Sequence, residues 1–328
     1  MIESSEMRSR RMSGLFLVEY MKFDNPKLQG RSLRKWRESQ IDPAGLRAIP
    51  DFSGQFLNVR DGLRVVPGQP TKVERDVLIV GGSTVFCREV SDAETLPGQL
   101  QSVVSKSFPA IRVTNFGIPG GTVTERGPYV RSRLAEYKRP LVVCYLGINE
   151  CYNFFYHYIE RRSPLARGLT HVRNRLGMFA RDKSRGFLKL LSDLVYLTQV
   201  RLTARNWQDS FSLVEDELMA LNRAVSSSGG SMFVVLQPCL PVSNPADQLL
   251  AAARNAELHK INGSLMGAIL GGYKNLRERL SRHRWFIDGS SWLDGSPEST
   301  YVDWCHLNSE GNQIVARCLY NCLLGSMP

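Results

Sequence analysis

Five short runs of apolar and β-branched residues, separated by longer segments, constrain the fold of this 328-residue chain most strongly. The runs occupy residues 77–80, 111–116, 141–146, 232–236 and 285–287. Most of them lack polar alternation, as is typical of parallel strands that helices cover on both faces. The remaining segments carry apolar residues at helical spacing, and we expect helices over residues 95–107, 124–137, 246–269 and 313–324. This alternation predicts a doubly wound α/β sheet.

Glycine-rich loops follow the first three predicted strands. They read Gly81-Gly82-Ser83-Thr84, then GIPGGT over residues 117–122, then GINE over residues 147–150. In doubly wound sheets, ligands bind at the loops that leave the carboxyl ends of the strands. Glycine lets a backbone approach a ligand closely or turn sharply into a helix. We therefore expect the functional site at these three loops.

The positive charge of the chain is concentrated in one segment. The chain has 42 Lys and Arg against 31 Asp and Glu, a formal net charge of +11. Residues 161–205 contain eleven basic and two acidic residues, so they carry +9 and the rest of the chain only +2. No zinc-finger, helix-turn-helix or aromatic RNA-binding pattern accompanies this segment. Nucleic acid is therefore not the partner we expect.

This basic segment belongs to a predicted helical insertion, residues 152–230, between the third and fourth strands. The segment also has apolar residues at helical spacing: Phe187, Leu190, Leu191, Leu194 and Leu197. This stripe and the charge fit a helix with one solvated face and one face that packs on the core. They also fit a lid over the pocket, a site for an acidic polysaccharide, or contact with an anionic membrane surface. Binding that weakens steeply with salt would favour the electrostatic alternatives.

Composition excludes several classes of protein. With 43% hydrophobic and 22% charged residues, the chain lies in the ordinary globular range rather than among disordered or fibrous proteins. No apolar run reaches the ~20 residues that a membrane-spanning helix requires. The seven cysteines are odd in number and form no CxxC pair, so we expect buried thiols rather than disulfides or a zinc site. We expect no metal or cofactor.

The N-terminal part, residues 1–75, is a polar extension that we expect to pack on a core of residues 76–328. Asp61-Gly62 and Pro67-Gly68 predict turns within it. Three arginines precede the apolar residues 15–18, as in a secretory signal. Charged residues end this apolar run far too early for such a signal, and the sequence therefore predicts a cytoplasmic protein.

Ser83 follows the first predicted strand and begins a predicted helix. A hydroxyl in this position can cap the helix. It can also be a nucleophile, with its own amide directed at a developing oxyanion. Taken alone, Ser83 fits the cap better, and the C-terminal part of the chain favours the nucleophile.

The C-terminal part contains Asp303 and His306, three residues apart, before a predicted helix. At this spacing the carboxylate can reach the imidazole Nδ1 and fix its tautomer, so that Nε2 faces the serine as a base. The other four histidines lack such a setting. An ordinary histidine pKa near 6.5 predicts that activity rises through neutrality.

An oxyanion formed at Ser83 needs donors that are already in place. The Ser83 N–H, the Gly120 N–H and the Asn149 side-chain amide can supply three. Each also has a structural interpretation, because Gly120 suits a turn with positive φ and Asn149 suits a turn or cap.

Four blocks together resemble the SGNH hydrolases, also called the GDSL esterase/lipase family. In the family's order, they are Gly81-Gly82-Ser83-Thr84, Asn115-Phe116-Gly117-Ile118-Pro119-Gly120, Gly147-Ile148-Asn149-Glu150 and Asp303-Trp304-Cys305-His306. The resemblance covers residues 76–328 and implies a three-layer α/β/α sandwich around a five-stranded parallel sheet. It implies a catalytic triad of Ser83, Asp303 and His306. It also implies an oxyanion hole formed by Ser83, Gly120 and Asn149.

The chain departs from the family pattern at two positions. Gly82 stands in place of the aspartate of G-D-S, and Glu150 in place of the aspartate of G-x-N-D. Neither change removes a proposed catalytic atom. Residues 58–70, which include Asp61-Gly62-Leu63-Arg64 and Pro67-Gly68-Gln69-Pro70, resemble bacterial members linked to surface-polysaccharide biosynthesis.

Three functions follow as hypotheses. The first is a serine esterase that forms an acyl-enzyme and acts on an acylated, most simply acetylated, carbohydrate or another small acyl ester. The second is an O-acyltransferase that passes the acyl group to a glycan hydroxyl, since acceptor choice depends on water exclusion. The third is a non-catalytic protein that binds an anion or nucleotide at its glycine loops, although neither GxGxxG nor GxxxxGK[ST] is present.

Overall fold

This computed structural model describes residue 49 and residues 51–151, 207–243, 263–296 and 300–323. The basic segment 161–205 lies outside the described residues, as do most of the N-terminal extension and most of the helix predicted over 246–269. The division of the chain into an extension, a core and an insertion stays a prediction.

An eight-stranded sheet forms the centre of the described structure, in the order β1-β2-β3-β5-β4-β6-β7-β8. Its strands are β1 (Phe52–Ser53), β2 (Asn58–Arg60), β3 (Leu63–Arg64), β4 (Arg75–Gly81), β5 (Ile111–Gly117), β6 (Leu141–Leu146), β7 (Ser231–Leu236) and β8 (Phe286–Asp288). Strands β4 to β8 pair in parallel and correspond to the five apolar runs. The predicted α/β class and its five parallel strands are confirmed.

Within the described ranges, six α-helices pack on this sheet. They are α1 (Ser83–Phe86), α2 (Leu96–Ser107), α3 (Val123–Arg133), α4 (Trp207–Ser227), α5 (Gly263–Leu280) and α6 (Ser309–Leu323). Helices α3, α4 and α5 share a core with Leu78 and Val80 of β4. Helices α2 and α6 share a core with Val77 and Ile79 on the opposite face. Since β4 is buried on both faces, its sequence has no polar alternation.

Helix ends differ from the sequence predictions where capping or later residues decide them. Helix α6 begins at Ser309 rather than 313, because the Asn308 side chain accepts the Gly311 N–H at 2.9 Å and satisfies the first turn. Helix α5 continues to Leu280 rather than ending at 269, since Tyr273 and Leu276 extend its buried face. Both predicted bounds were wrong.

Three short antiparallel strands, β1 to β3, extend the sheet beyond β5 and were not predicted. Asp61 and Gly62 form the two-residue turn between β2 and β3, with φ of 53° and 71°. Positive φ at both positions is what such hairpin turns require. Arg64 pairs with Asn115, so this part of the N-terminal extension belongs to the same sheet.

Among the helices of the described residues, none is both long and apolar enough to cross a membrane.

Candidate active site

Ser83 is the first residue of α1, directly after β4 at the carboxyl edge of the sheet. Two glycines make this turn possible. A Cβ at Gly81 would collide with the Tyr145 carbonyl, and one at Gly82 would overlap the Asn149 amide. The strand can therefore pass straight into a helix whose first side chain is Ser83.

The structure brings Ser83, His306 and Asp303 into one line of contacts. His306 Nε2 lies 2.8 Å from Ser83 Oγ. On the other side of the ring, the Nδ1–H donates to Asp303 Oδ2 at 2.7 Å. Asp303 and His306 are 4% and 2% exposed. A hydroxyl, an imidazole and a carboxylate that lie far apart in sequence thus form a chain able to move a proton.

The loop that carries Asp303 and His306 is held by its own backbone. Asp303 Oδ1 accepts the backbone N–H groups of Cys305 at 2.8 Å and His306 at 2.7 Å. Further bonds join Val302 N–H to the His306 carbonyl at 2.8 Å and Leu240 N–H to the Trp304 carbonyl at 2.9 Å. One carboxylate oxygen therefore shapes the loop while the other orients the imidazole.

Burial and charge shift the two ionisable groups in opposite directions. Burial opposes the charge of His306, but the negative charges of Asp303 and Glu89 outweigh it and raise the pKa of the imidazole well above its ordinary value. Burial likewise opposes the charge of Asp303, and the nearby His306 lowers the pKa of this carboxyl. The imidazole is thus more basic than the sequence prediction assumed.

Asn149 and Gly120 lie in the two neighbouring glycine loops. The Asn149 Nδ2 donates to the Gly121 carbonyl at 2.8 Å and lies over Gly82, next to Ser83. Gly120 has φ of 70° in a turn closed by the bond from Gly121 N–H to the Ile118 carbonyl at 2.9 Å. A contact between Asn149 and the residue after Gly120 thus joins the two loops beside the serine.

Glu150 also links the two glycine loops that carry Asn149 and Gly120. This buried carboxylate accepts the Val123 N–H at the start of α3 at 2.9 Å and the Gly147 N–H at 2.8 Å. Burial raises the pKa of Glu150 despite these backbone donors. The longer side chain at this departure from the family pattern therefore braces the loop of Asn149 against α3.

Arg64 of β3 holds the loop that follows α1, a role that was not predicted from the sequence. Its guanidinium is buried and donates to the Phe86 carbonyl at 2.6 Å and to the Cys87 carbonyl. It also donates to Asp92 Oδ1 at 2.9 Å and to the Val90 carbonyl at 2.7 Å. The last carbonyls of a helix need partners outside the helix, and this arginine supplies them for Phe86 and the following Cys87.

Glu89 lies on this loop and was also missed in the sequence. Its Oε1 is 3.9 Å from His306 Nε2, and its side chain is 12% exposed. The Arg88 Nε donates to the same oxygen at 2.9 Å. No strand end or motif marks Glu89; it reaches the site because α1 is only four residues long and Cys87, with φ of 52°, turns the chain back.

Asp303, Cys305 and His306 also form the one group of potential metal ligands found among the described residues, with ligand atoms within 4.8 Å of one another. Burial raises the pKa of the Cys305 thiol to about 12, which disfavours the thiolate that binds a metal. Asp303 and His306 Nδ1 are bonded to each other. We therefore interpret the cluster as a hydrogen-bonded one.

His283, three residues after the end of α5, contacts a different carboxylate. Its Nε2 lies 2.7 Å from Glu215 Oε1, and its ring stacks on Trp285 with 4.3 Å between centroids. The other three histidines lie outside the described residues: His157, His171 and His259.

No family model matches the sequence, and no curated protein matches it. Several solved structures are similar. TesA has a TM-score of 0.43 and 14% identity, covering 77% of this chain and 100% of that one. The acetylxylan esterase Axe2 from Geobacillus stearothermophilus has a TM-score of 0.39 and 15% identity, covering 76% and 94%. LAE5, an α/β hydrolase from the metagenome of Lake Arreo, Spain, has a TM-score of 0.40 and 14% identity, covering 76% and 95%. At identities and TM-scores this low, these similarities carry no argument about the function of this chain.

Proposed function

We propose that the protein is a serine esterase that hydrolyses a carboxylic ester through an acyl-enzyme. The observation that carries the proposal is the unbroken line of contacts from Asp303 through His306 to Ser83, at 2.7 and 2.8 Å. A carboxylate on Nδ1 leaves Nε2 as the acceptor of the serine proton, and this arrangement activates a hydroxyl for attack.

In the first half-reaction, Ser83 Oγ attacks the ester carbonyl carbon while its proton moves to His306 Nε2. The tetrahedral intermediate then collapses, and the same proton passes to the oxygen of the leaving alcohol. The acyl group stays on Ser83. In the second half-reaction, water attacks the acyl carbon, His306 takes one water proton, and this proton returns to Ser83 Oγ as the carboxylic acid leaves.

The negative oxygen of each tetrahedral intermediate needs donors that are in place before the reaction. We propose that the Ser83 N–H, the Gly120 N–H and the Asn149 side-chain amide provide them. The Asn149 nitrogen carries two hydrogens, of which one is bonded to the Gly121 carbonyl. Because this nitrogen lies over Gly82, next to Ser83, we expect its second hydrogen to be directed at the oxyanion.

For the substrate, we propose an O-acetyl or other short O-acyl group on a carbohydrate. This proposal is supported by the resemblance of residues 58–70 to family members linked to surface polysaccharides. Comparing kcat/KM for an acetylated oligosaccharide, p-nitrophenyl acetate and a long-chain ester tests it. A preference for the long-chain ester would contradict it.

Contact of residues 161–205 with an acidic polysaccharide or an anionic membrane surface is a further proposal, tested by the salt dependence of binding.

The esterase function is tested by labelling the purified protein with a fluorophosphonate, which reacts with an activated serine. We expect mass spectrometry to place the label on Ser83. Ser83→Ala should abolish both labelling and p-nitrophenyl acetate hydrolysis and leave the circular dichroism spectrum unchanged. The matched control is Ser132→Ala, which removes a hydroxyl bonded only locally to the Tyr129 carbonyl and should keep both activities.

Two outcomes would contradict the proposal. Hydrolysis retained by the Ser83→Ala variant would assign the activity to another group. Absence of labelling in the folded wild-type protein would favour the non-catalytic protein that binds an anion at its glycine loops.

A further inference from the structure

We propose that Glu89 is a further catalytic residue, whose carboxylate accepts the second hydrogen of the water molecule that hydrolyses the acyl-enzyme. This inference rests on the serine esterase function proposed above. It concerns the step that separates a hydrolase from an acyltransferase.

The distances place Glu89 where such a water must bind. Its Oε1 is 3.9 Å from His306 Nε2, the atom that lies 2.8 Å from Ser83 Oγ. A separation of 3.9 Å is too long for a direct hydrogen bond, but one water oxygen can lie about 2.8 Å from both atoms. The side chain of Glu89 is 12% exposed, and within its carboxylate Oε2 is buried, which leaves Oε1 as the oxygen that faces His306.

The Glu89 carboxylate is held by Arg88, and the loop that carries it is held by Arg64. The Arg88 Nε donates to Glu89 Oε1 at 2.9 Å. The buried Arg64 binds the carbonyls of Cys87 and of Val90, which precede and follow this pair along the chain. A side chain on a fastened loop can orient a reactant without first paying the entropy of being ordered.

In the second half-reaction, the water oxygen forms a bond to the acyl carbon as one of its protons passes to His306 Nε2. The other hydrogen stays on the oxygen and donates to Glu89. The bond between the acyl carbon and Ser83 Oγ then breaks, and Nε2 returns its proton to Oγ. The acid that leaves keeps the second hydrogen, so Glu89 gains and loses no proton.

An alcohol in the place of water behaves differently. Methanol and a lone sugar hydroxyl each carry one O–H hydrogen, which must go to His306. Nothing remains to donate to Glu89. The Glu89 contact therefore favours water over an alcohol acceptor, and so favours hydrolysis over acyl transfer.

The experiment measures both half-reactions with p-nitrophenyl acetate in Glu89→Met, which has similar length but no acceptor, and in Glu89→Gln, which keeps a neutral acceptor. Assays are run on the alkaline plateau of each variant. We expect the p-nitrophenol burst rate of Glu89→Met to stay within about threefold of wild type and deacylation to fall by at least about tenfold. The deacylation rate of Glu89→Gln should lie between those of wild type and Glu89→Met. Glu94→Gln is the matched control. It removes a negative charge from the same segment, but Glu94 bonds to Ser91 rather than facing His306.

Added methanol gives the decisive readout, because it competes with water for the acyl-enzyme. The ratio of methyl ester to free acid should rise about tenfold in Glu89→Met. Two results would overturn the proposal: an unchanged ratio of methyl ester to free acid, or equal losses of deacylation in Glu89→Gln and Glu89→Met. Either would show that Glu89 acts only through its charge on His306. If Glu89→Met does not fold, the ratio in Glu89→Gln decides. A wild-type protein that forms no acyl adduct on Ser83 would instead refute the esterase function itself.

Discussion

The described residues contain two carboxylate–histidine pairs with the same contact distance and different surroundings. His306 Nδ1 lies 2.7 Å from Asp303, and His283 Nε2 lies 2.7 Å from Glu215. The first pair is at the carboxyl edge of the sheet, where the far nitrogen of the ring faces Ser83. The second joins α4 to the residues after α5.

The partners of the two carboxylates explain the difference. Asp303 accepts, besides the imidazole, only backbone N–H groups in the contacts described above. Glu215 also binds Arg282 and lies 3.7 Å from Arg279, so guanidinium groups share its charge. The His283 ring stacks on an indole. A histidine beside a carboxylate is therefore a candidate base only when the rest of its ring faces a group to deprotonate.

The largest expected effect is that of Asp303→Asn. The amide no longer fixes the tautomer of His306, and we expect turnover of p-nitrophenyl acetate to fall by roughly 10³- to 10⁴-fold. Glu215→Gln, the matched change in the other pair, should leave turnover within about twofold. Similar losses in both variants would contradict the distinction between the pairs.

A buried ion pair without a histidine sharpens the comparison. Arg64→Met leaves Asp92 buried without its cation and frees the carbonyls at the end of α1. We expect the free energy of unfolding to fall by about 3–5 kcal/mol in urea denaturation. Lys72→Met, which breaks an exposed pair with Glu74, should change it by at most about 1 kcal/mol. Equal effects would show that the burial of Arg64 carries no special weight.

The pH dependence of kcat/KM tests the surroundings of His306. Only the neutral imidazole accepts the serine proton, and the negative charges of Asp303 and Glu89 raise its pKa in spite of burial. The acidic limb should therefore lie above pH 6.5, to the alkaline side of the sequence prediction. Glu89→Gln removes one negative charge and should move this limb to lower pH. A wild-type limb at or below pH 6.5 would contradict this account.

The smallest effect is expected for the stability of Glu215→Gln. Arg282 is largely exposed, so solvent screens much of its interaction with Glu215. We expect the free energy of unfolding to fall by about 1 kcal/mol, measured by thermal unfolding at neutral pH. A loss as large as that of Arg64→Met would place Glu215 among the main supports of the fold.

Much of the parallel sheet could be predicted from the sequence because burial on both faces leaves its mark locally. Residues 77–80 are apolar without interruption, and each is buried. The contact between Asp303 and His306 follows from a spacing of three residues. The approach of His306 to Ser83 could be predicted from the rule that loops at the carboxyl ends of parallel strands meet at one edge of the sheet.

Other features depend on contacts between distant segments, and of the strands β1 to β3 only the Asp61-Gly62 turn was predicted from the sequence. Strands β1 to β3 have two or three residues, too few to show a period. Arg64 and Glu89 look like ordinary surface charges in the sequence. Their roles arise because a hairpin places Arg64 beside α1, and because this short helix returns the chain toward His306.

The pairing of β3 with β5 has a practical consequence for anyone who shortens this protein. A chain cut at residue 75, where the family resemblance begins, would lose the strand that covers the outer edge of β5. An uncovered edge invites association with other molecules and aggregation. The same cut would remove Arg64, so any soluble fragment should also carry a loosened segment between residues 86 and 92, and an inactive fragment would then say little about the intact protein.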